Sequence, residues 1–579
     1  MARAKAKAAD AQRAQELPNT RTMTIIAQDP SIKVGGRILT TEVEIPAEEL
    51  AAGPCGYRVN VVDYDASTDT LYTPARYPPS KNGHLEDVLA PKSGISAKAH
   101  NDHLLNNPHF HAQNVYAIVM KTLARFEFAL GRRVAWGSDG HQLHIAPHAF
   151  NMANAFYSKE DRGLYFGYFN DSEGRSVHTC LSHDVVAHET THALLDGLRS
   201  RFIEPSSPDQ AAFHEGFSDI VALLSIFAQR DVVEALLAPK SHAGHGLIDR
   251  KYLTPAAMRK SVLLGLAEQM GEAITGVRGK ALRHSVELKP GLEYMSMPEF
   301  EEPHRRGEVL VAAMLNAFIA IWDSRLSEVG YLRRRMKSLK MVVQEGARVA
   351  DHLLTMAIRA LDYCPTTDIN FCDYLSALLT IDREVVRDDT KFDYRGRLMA
   401  SFADYDIHPP KWADKDGAWL RCTSRLVYGR THFQSMLSDK EEVFRFIWEN
   451  RKALRIHPDG YVEVETVRPC SRIGPDGFIL HETVAEYVQI LTLSVDELYP
   501  TLRIRPPKDM PGWRRVRLFG GGALIFDEYG QLKYQISNRL DNPARQSARL
   551  THLWEAGYFE RPMDGKSAFS HMHLMRATS

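Results

Sequence analysis

The sequence predicts a mixed α+β protein: a β-rich N-terminal lobe over residues 23–181, a helical lobe over 182–408 and an additional C-terminal α+β domain over 411–579. Three patterns carry that prediction. In MTIIAQ, GRILTTEVEI and GYRVNVVDYDASTDTLYTP, which follow one another from Met23, β-branched and aromatic residues alternate with polar ones. Across residues 184–408 apolar residues recur every three or four positions, the period of helices. Beyond Pro409 and Pro410 the alternation returns around Pro-Asp-Gly turns in RIHPDGYVEVETV and RIGPDGFILHETV.

Residues 1–22 are polar and without apolar periodicity, as in a disordered arm. Residues 77–108, rich in Pro, Gly, Asn and Ser, read as loop, and the nearby His100, His103, His109 and His111 read as hydrogen-bonded or solvated side chains, because no acidic partner stands at a fixed spacing from them. A helix over residues 112–131 closes on Gly131. HQLHIAPHAF is a strand, and NMANAFYSKEDRGLYFGYF supplies two more at a sheet edge, the kind of edge that can pair with an extended peptide. Ser182 starts a helix reaching about Arg201, and Ser207, Pro208 and Gln210 are the cap, first-turn proline and third residue of another that runs to about Gln229. VLVAAMLNAFIAIWDSRL, LKMVVQEGARVADHLLTMAIRAL, NFCDYLSALLTIDREVV and RGRLMASFADYDI read as further helices. GGGALIFDEYGQLKYQI reads as a hairpin with Gly520, Gly521 and Gly522 in a flexible turn, favoured over a phosphate loop because no Lys-Ser/Thr follows and a strand comes next rather than a helix.

With 44% hydrophobic and 25% charged residues and a net charge of −1, the chain has the composition of a soluble globular protein and no basic field for nucleic acid. No run reads as a membrane span. The six cysteines are scattered, leaving open one disulfide such as Cys364 with Cys372. The N-terminus lacks the apolar segment of a secretory signal, so the expected location is the cytoplasm, or outside the cell by a route needing no such signal.

The chemistry concentrates in DVVAHETTHALLDGL, residues 184–198. On a helix His188 and His192 lie one turn apart on one face, the spacing at which two imidazoles reach one zinc ion. Burying His188, Glu189 and His192 in so apolar a helix is costly unless a metal and its water satisfy them. A catalytic zinc takes a third protein ligand, and Glu215, near the start of the next helix, is placed to supply it. Asp219, one turn further, is placed to accept the second ring N–H of a ligating histidine. Glu189, unable to ligate from its position, becomes the general base for a zinc-activated water. His183 and His214 are expected to point elsewhere.

DVVAHETTHALLDGL and AAFHEGFSDIVALL resemble the two ligand helices of the thermolysin family of zinc metallopeptidases, the gluzincins, and the likeness extends over about residues 45–408. The resemblance implies two lobes around a cleft floored by the zinc helix, and zinc endopeptidase activity on a protein or peptide substrate. NAFY is similar to the family's substrate-binding edge strand, which gives that role to the Asn154 side chain and the Ala155 backbone. PHRRGEVLVAAML is similar to the segment of the oxyanion-stabilising histidine, here His304, and KALRHS to that of an arginine contacting the substrate carbonyl, here Arg283. The chain also departs from the family. Phe202 or Ile203 stands where the family has an oxyanion tyrosine, a loss that in other enzymes costs about 10²–10³ in rate. Asp184 matches a calcium-ligand position, but the later acidic partners are missing, so the paired calcium site is not expected. The alternative reading is a gluzincin-like scaffold that binds zinc or peptide with weak or no turnover.

Overall fold

A computed structural model describes residues 19–78, 85–138, 140–171, 173–238, 241–242, 246–260, 284–332 and 335–559, and shows a mixed α+β chain. The expected N-terminal arm lies outside the described residues up to 18, and its last residues already belong to β1 (Thr20–Ile26), which pairs antiparallel with β2 (Thr40–Pro46). A five-stranded sheet follows. Strands β3 (Val59–Val61), at one edge, β4 (Leu143–Asn151) and β6 (Gly163–Asn170) run parallel, and β5 (Ala155–Ser158) and β7 (Ser176–His178) share the outer side of β6. β5 therefore covers the first half of β6 and ends the sheet there.

The loop expected over residues 77–108 contains α1 (Ala97–Asn106). The Ser96 hydroxyl caps it by accepting the Ala99 N–H, and it buries His100 and Leu104. So few apolar residues leave no periodic signal; the cap and the fold around it make the helix. His100, His103 and His109 each reach a backbone carbonyl, of Ile38, Leu89 and Thr73 respectively. α2 (Pro108–Leu130) begins on an Asn107 cap with proline in its first turn and stops at Gly131, whose φ of 67° is the left-handed conformation glycine adopts without strain.

α3 (His183–Leu198), α4 (Pro208–Phe227), α5 (Arg230–Leu237), α6 (Pro303–Glu328), α7 (Leu339–Ala360), α8 (Phe371–Val385) and α9 (Tyr394–Ala403) make the helical region. α3 ends short of Arg201 and α4 short of Gln229, whereas α6 starts earlier than its apolar run because Glu302 caps it and Pro303 opens it. Among the described residues α6 alone is long and apolar enough to cross a membrane, although no run in the sequence reads as a span; most of its apolar stretch is buried inside the protein, as in a core helix. One apolar core runs from Met23 through Ile118, Val186, Phe217, Leu310 and Leu353 to Ile525.

The C-terminal sheet is an antiparallel meander of β8 (Tyr461–Ile473), β9 (Ile479–Ser494), β10 (Arg515–Asp527) and β11 (Leu532–Asn538). The second Pro-Asp-Gly joins β8 to β9; the first only leads into β8 from a turn. Gly520, Gly521 and Gly522 are not a turn but the middle of β10, where a Cβ at Gly522 would stand 2.1 Å from the Ile536 carbonyl oxygen and one at Gly520 would stand 2.6 Å from the Leu540 nitrogen. The glycines serve close approach of neighbouring backbone. All six cysteines are free thiols, so the Cys364–Cys372 bridge is not formed.

Candidate metal centre

α3 and α4 lie side by side, and their facing residues build the site. His188 Nε2 is 3.5 Å from Glu215 Oε2, and His192 Nε2 is 3.7 Å from Glu215 Oε1. All three side chains are buried. Zinc–ligand bonds of about 2.0–2.1 Å put neighbouring donors of a tetrahedral ion about 3.3 Å apart, so this donor set is close to the spacing such an ion requires.

The outer ring nitrogens decide which atoms face the centre. His188 Nδ1 lies 2.7 Å from Asp219 Oδ1, so a neutral ring carries its hydrogen there and turns the Nε2 lone pair inward. Ser218 donates its hydroxyl to the His214 carbonyl at 2.9 Å, which leaves its oxygen to accept from His192 Nδ1 at 3.1 Å. His192 Nε2 is thereby also the inward atom. His214 is not the bystander expected from helix-face geometry. Its Nδ1 is 2.7 Å from His192 Nδ1 and the two rings stack at 4.7 Å, so it fixes the plane of a candidate ligand. His183 does point elsewhere, and burial holds it well below the ordinary histidine range, with Lys121 adding to the effect.

Glu189 sits at the border of α3 and the sheet, where the backbone N–H of Tyr157 donates to its Oε2 at 3.0 Å. Further along α3, Asp196 accepts from the Tyr157 hydroxyl at 2.9 Å and pairs with Lys159 at 2.8 Å. Burial raises the Asp196 pKa, and Lys159 only partly offsets it. Edge strand β5 is therefore clamped along the helix that bears the candidate ligands. None of these partners has a sequence spacing that could announce it.

His304 reaches the centre from α6. Its Nε2 lies 3.4 Å from Glu215 Oε2, and its Nδ1 lies 2.6 Å from Glu302 Oε1. Glu302 also caps α6 by accepting the Arg305 N–H, so one carboxylate starts the helix and aims the histidine. What brings α6 this close is a crossing at two glycines, since a Cβ at Gly216 would lie 2.9 Å from the Gly307 carbonyl oxygen.

Asn154 and Ala155 stand at the start of β5, where the Asn154 side-chain oxygen accepts the Ala155 N–H at 2.9 Å and Ala155 pairs with Phe166. Arg283 lies outside the described residues. Phe202 is fully buried and meets Phe213 edge-on at 5.7 Å, so it is a core side chain and offers no donor. Asp184 accepts from Ser182 at 2.9 Å. No family model matches the chain and no curated protein matches its sequence.

Proposed function

We propose that the protein is a zinc-dependent endopeptidase with a thermolysin-like two-lobed catalytic body, in which His188, His192 and Glu215 hold the ion. The observation that carries this reading is the combination of two inward-facing imidazole nitrogens, one shared carboxylate and a fourth side chain, Glu189, held beside them without belonging to the donor set. Zinc in that position acidifies water and polarises a carbonyl. Glu189, with one oxygen fixed by the Tyr157 N–H, accepts the water proton on the other and returns it to the leaving amine. His304 faces the same centre, its Nδ1 held by the carboxylate of Glu302 and its Nε2 turned towards the place where an oxyanion would develop. A peptide in extended form lies along β5, where Asn154 and Ala155 begin the edge and Tyr157 is already committed to the base.

The test is zinc content per chain together with hydrolysis of a denatured protein and a peptide library by wild type and Glu189→Gln. One zinc at this site, with cleavage lost in the variant, is the expected result. Zinc at this site without cleavage by wild type leaves only a zinc- or peptide-binding scaffold, the reading that the buried Phe202 favours. A chain whose zinc content is unaffected by replacing His188 and His192 defeats both.

A further inference from the structure

Three other histidines meet in the N-terminal region, on elements that no sequence spacing connects: His111 on α2, His148 on β4 and His178 at the end of β7. Each can offer one ring nitrogen such that the three atoms lie within 4.8 Å of one another, and the ring centres are 4.8–5.0 Å apart. His111 and His148 are each 2% exposed.

The hydrogen bonds around the rings determine which atoms point inward. His111 Nε2 is 3.0 Å from the Leu104 carbonyl oxygen, which can only accept, so Nε2 carries the hydrogen and Nδ1 a lone pair. His148 Nδ1 is 2.8 and 3.0 Å from the two oxygens of Asp63, so its hydrogen is there and Nε2 carries the lone pair. The same Asp63 accepts the His148 backbone N–H at 3.1 Å, which fixes the carboxylate in place. His178 Nε2 meets the Ser176 hydroxyl at 3.1 Å, while its Nδ1 is buried with no hydrogen-bond partner among the described residues.

The consequence is a conflict. His111 Nδ1 and His148 Nε2 are 2.8 Å apart, and with both rings neutral this contact sets lone pair against lone pair. A proton between them would make His148 an imidazolium paired with Asp63 and would still leave the buried His178 Nδ1 without a hydrogen-bond partner among the described residues. A cation accepting all three lone pairs removes the conflict, with the His111–His148 separation opening towards the roughly 3.3 Å of tetrahedral zinc donors.

We propose that His111 Nδ1, His148 Nε2 and His178 Nδ1 form a second metal site, for a divalent transition cation of the zinc type, that ties α2 to the sheet. Imidazole donors suit this class and exclude calcium and magnesium, which take oxygen. Asp63 plays towards His148 the orienting part that Asp219 plays towards His188. The two sites share no residue. The site is a fastening, because His178 precedes the turn into α3 and the metal would join that turn to α2 and β4.

The test uses the full chain loaded with zinc alone, dialysed, and assayed for metal per chain. Wild type is expected to hold two equivalents, the His188→Ala/His192→Ala double variant one, and His178→Gln one. In the double variant, added zinc is expected to raise the midpoint of thermal unfolding, and in a triple variant also carrying His178→Gln it is expected not to. A zinc-edge anomalous scattering map of wild-type crystals is expected to show a peak among the three rings, independently of whether any variant folds. Wild type with one zinc that disappears on replacing His188 and His192, and no anomalous peak at His148, would overturn the second site and leave the proposed function standing. One zinc lost only in His178→Gln would do the reverse.

Discussion

The backbone N–H of Tyr157 donates to Glu189 Oε2 at 3.0 Å, so an edge strand of the sheet holds the side chain proposed as general base. A backbone donor cannot be removed by substitution, but the carboxylate can be withdrawn from it. In Glu189→Asp the side chain is one methylene shorter and cannot keep both this hydrogen bond and its place at the centre. Misplacement by about 1 Å costs on the order of 10² in rate. We expect kcat/KM to fall by about that factor with zinc content unchanged. A variant as active as wild type would show that the Tyr157 contact does not position the base.

Asp219 orients His188 from outside the donor set, at 2.7 Å from Nδ1. Removing such a partner typically costs about 10–100-fold in metal affinity. Asp219→Ala is expected to lose zinc to a competing chelator at about 10–100-fold lower chelator strength than wild type, and Asp219→Asn, which still offers an oxygen, less readily. Equal retention by Asp219→Ala and wild type would contradict the orienting role.

His304 approaches Glu215 with Nε2 while Glu302 grips Nδ1. If its work is to stabilise an oxyanion, His304→Ala should lower kcat by about 10²–10³ and leave KM nearly unchanged, because such a donor acts in the transition state. Glu302→Gln should lower kcat less, by loosening the ring. A rise in KM with kcat retained would reassign His304 to substrate binding.

The parts of the site that follow from helical period are legible in the amino-acid sequence alone: His188, His192 and Glu189 on one helix, and Asp219 one turn beyond Glu215. What the period cannot show is contact between elements. Helix-face geometry points His214 away from Glu215, yet α3 lies close enough for His214 to stack on His192. Tyr157 and Ser218 act through bonds whose partners are remote in sequence or are main-chain groups, and neither leaves a pattern; Glu302 is only two residues from His304, a spacing that belongs to no helical period. The trio of His111, His148 and His178 depends on β4 and β7 flanking β6, a strand order that no local pattern encodes. In the fold, strongly periodic helices are readable, while α1 is hidden by its polar composition and the glycines of β10 look like a turn because their packing partners lie on β11 and at Leu540.

Glu215 and His304 meet because α4 and α6 cross at Gly216 and Gly307. Alanine at 216 gains about 1 kcal/mol of helix propensity. Its Cβ, however, meets a backbone oxygen at 2.9 Å that no side-chain rotation can move, and overpacking of this kind costs about 1–3 kcal/mol. The helices must separate. Gly216→Ala is therefore expected to lower the unfolding midpoint and to weaken zinc retention together. Higher stability with unchanged zinc retention would mean that the crossing has slack.

The C-terminal sheet is fastened to α8 by Glu384, which pairs with Lys533 of β11 at 2.6 Å and Arg421 at 2.7 Å and accepts from the Tyr534 hydroxyl at 2.6 Å. Burial by itself raises the pKa of this carboxyl, but Lys533 and the other donors overcome it and pull the group down from 4.5 to about 2. A carboxylate whose folded value is depressed stabilises the folded chain above its unfolded pKa and loses that contribution as pH falls through the folded one. Wild type should therefore lose stability between about pH 4.5 and pH 2 through this group. Glu384→Gln lacks that titration, so it should be less stable than wild type at about pH 7, with the gap narrowing across that window. In the variant Tyr363 still donates to Glu482 of β9 at 2.7 Å and Arg545 still pairs with Asp373 of α8 at 2.8 Å, so the C-terminal region stays attached and the comparison remains one of folded chains. Denaturant unfolding at about pH 7, 4.5 and 3 measures the gap; a gap that is constant over these three values would mean that the charge on Glu384 does not hold the sheet to α8.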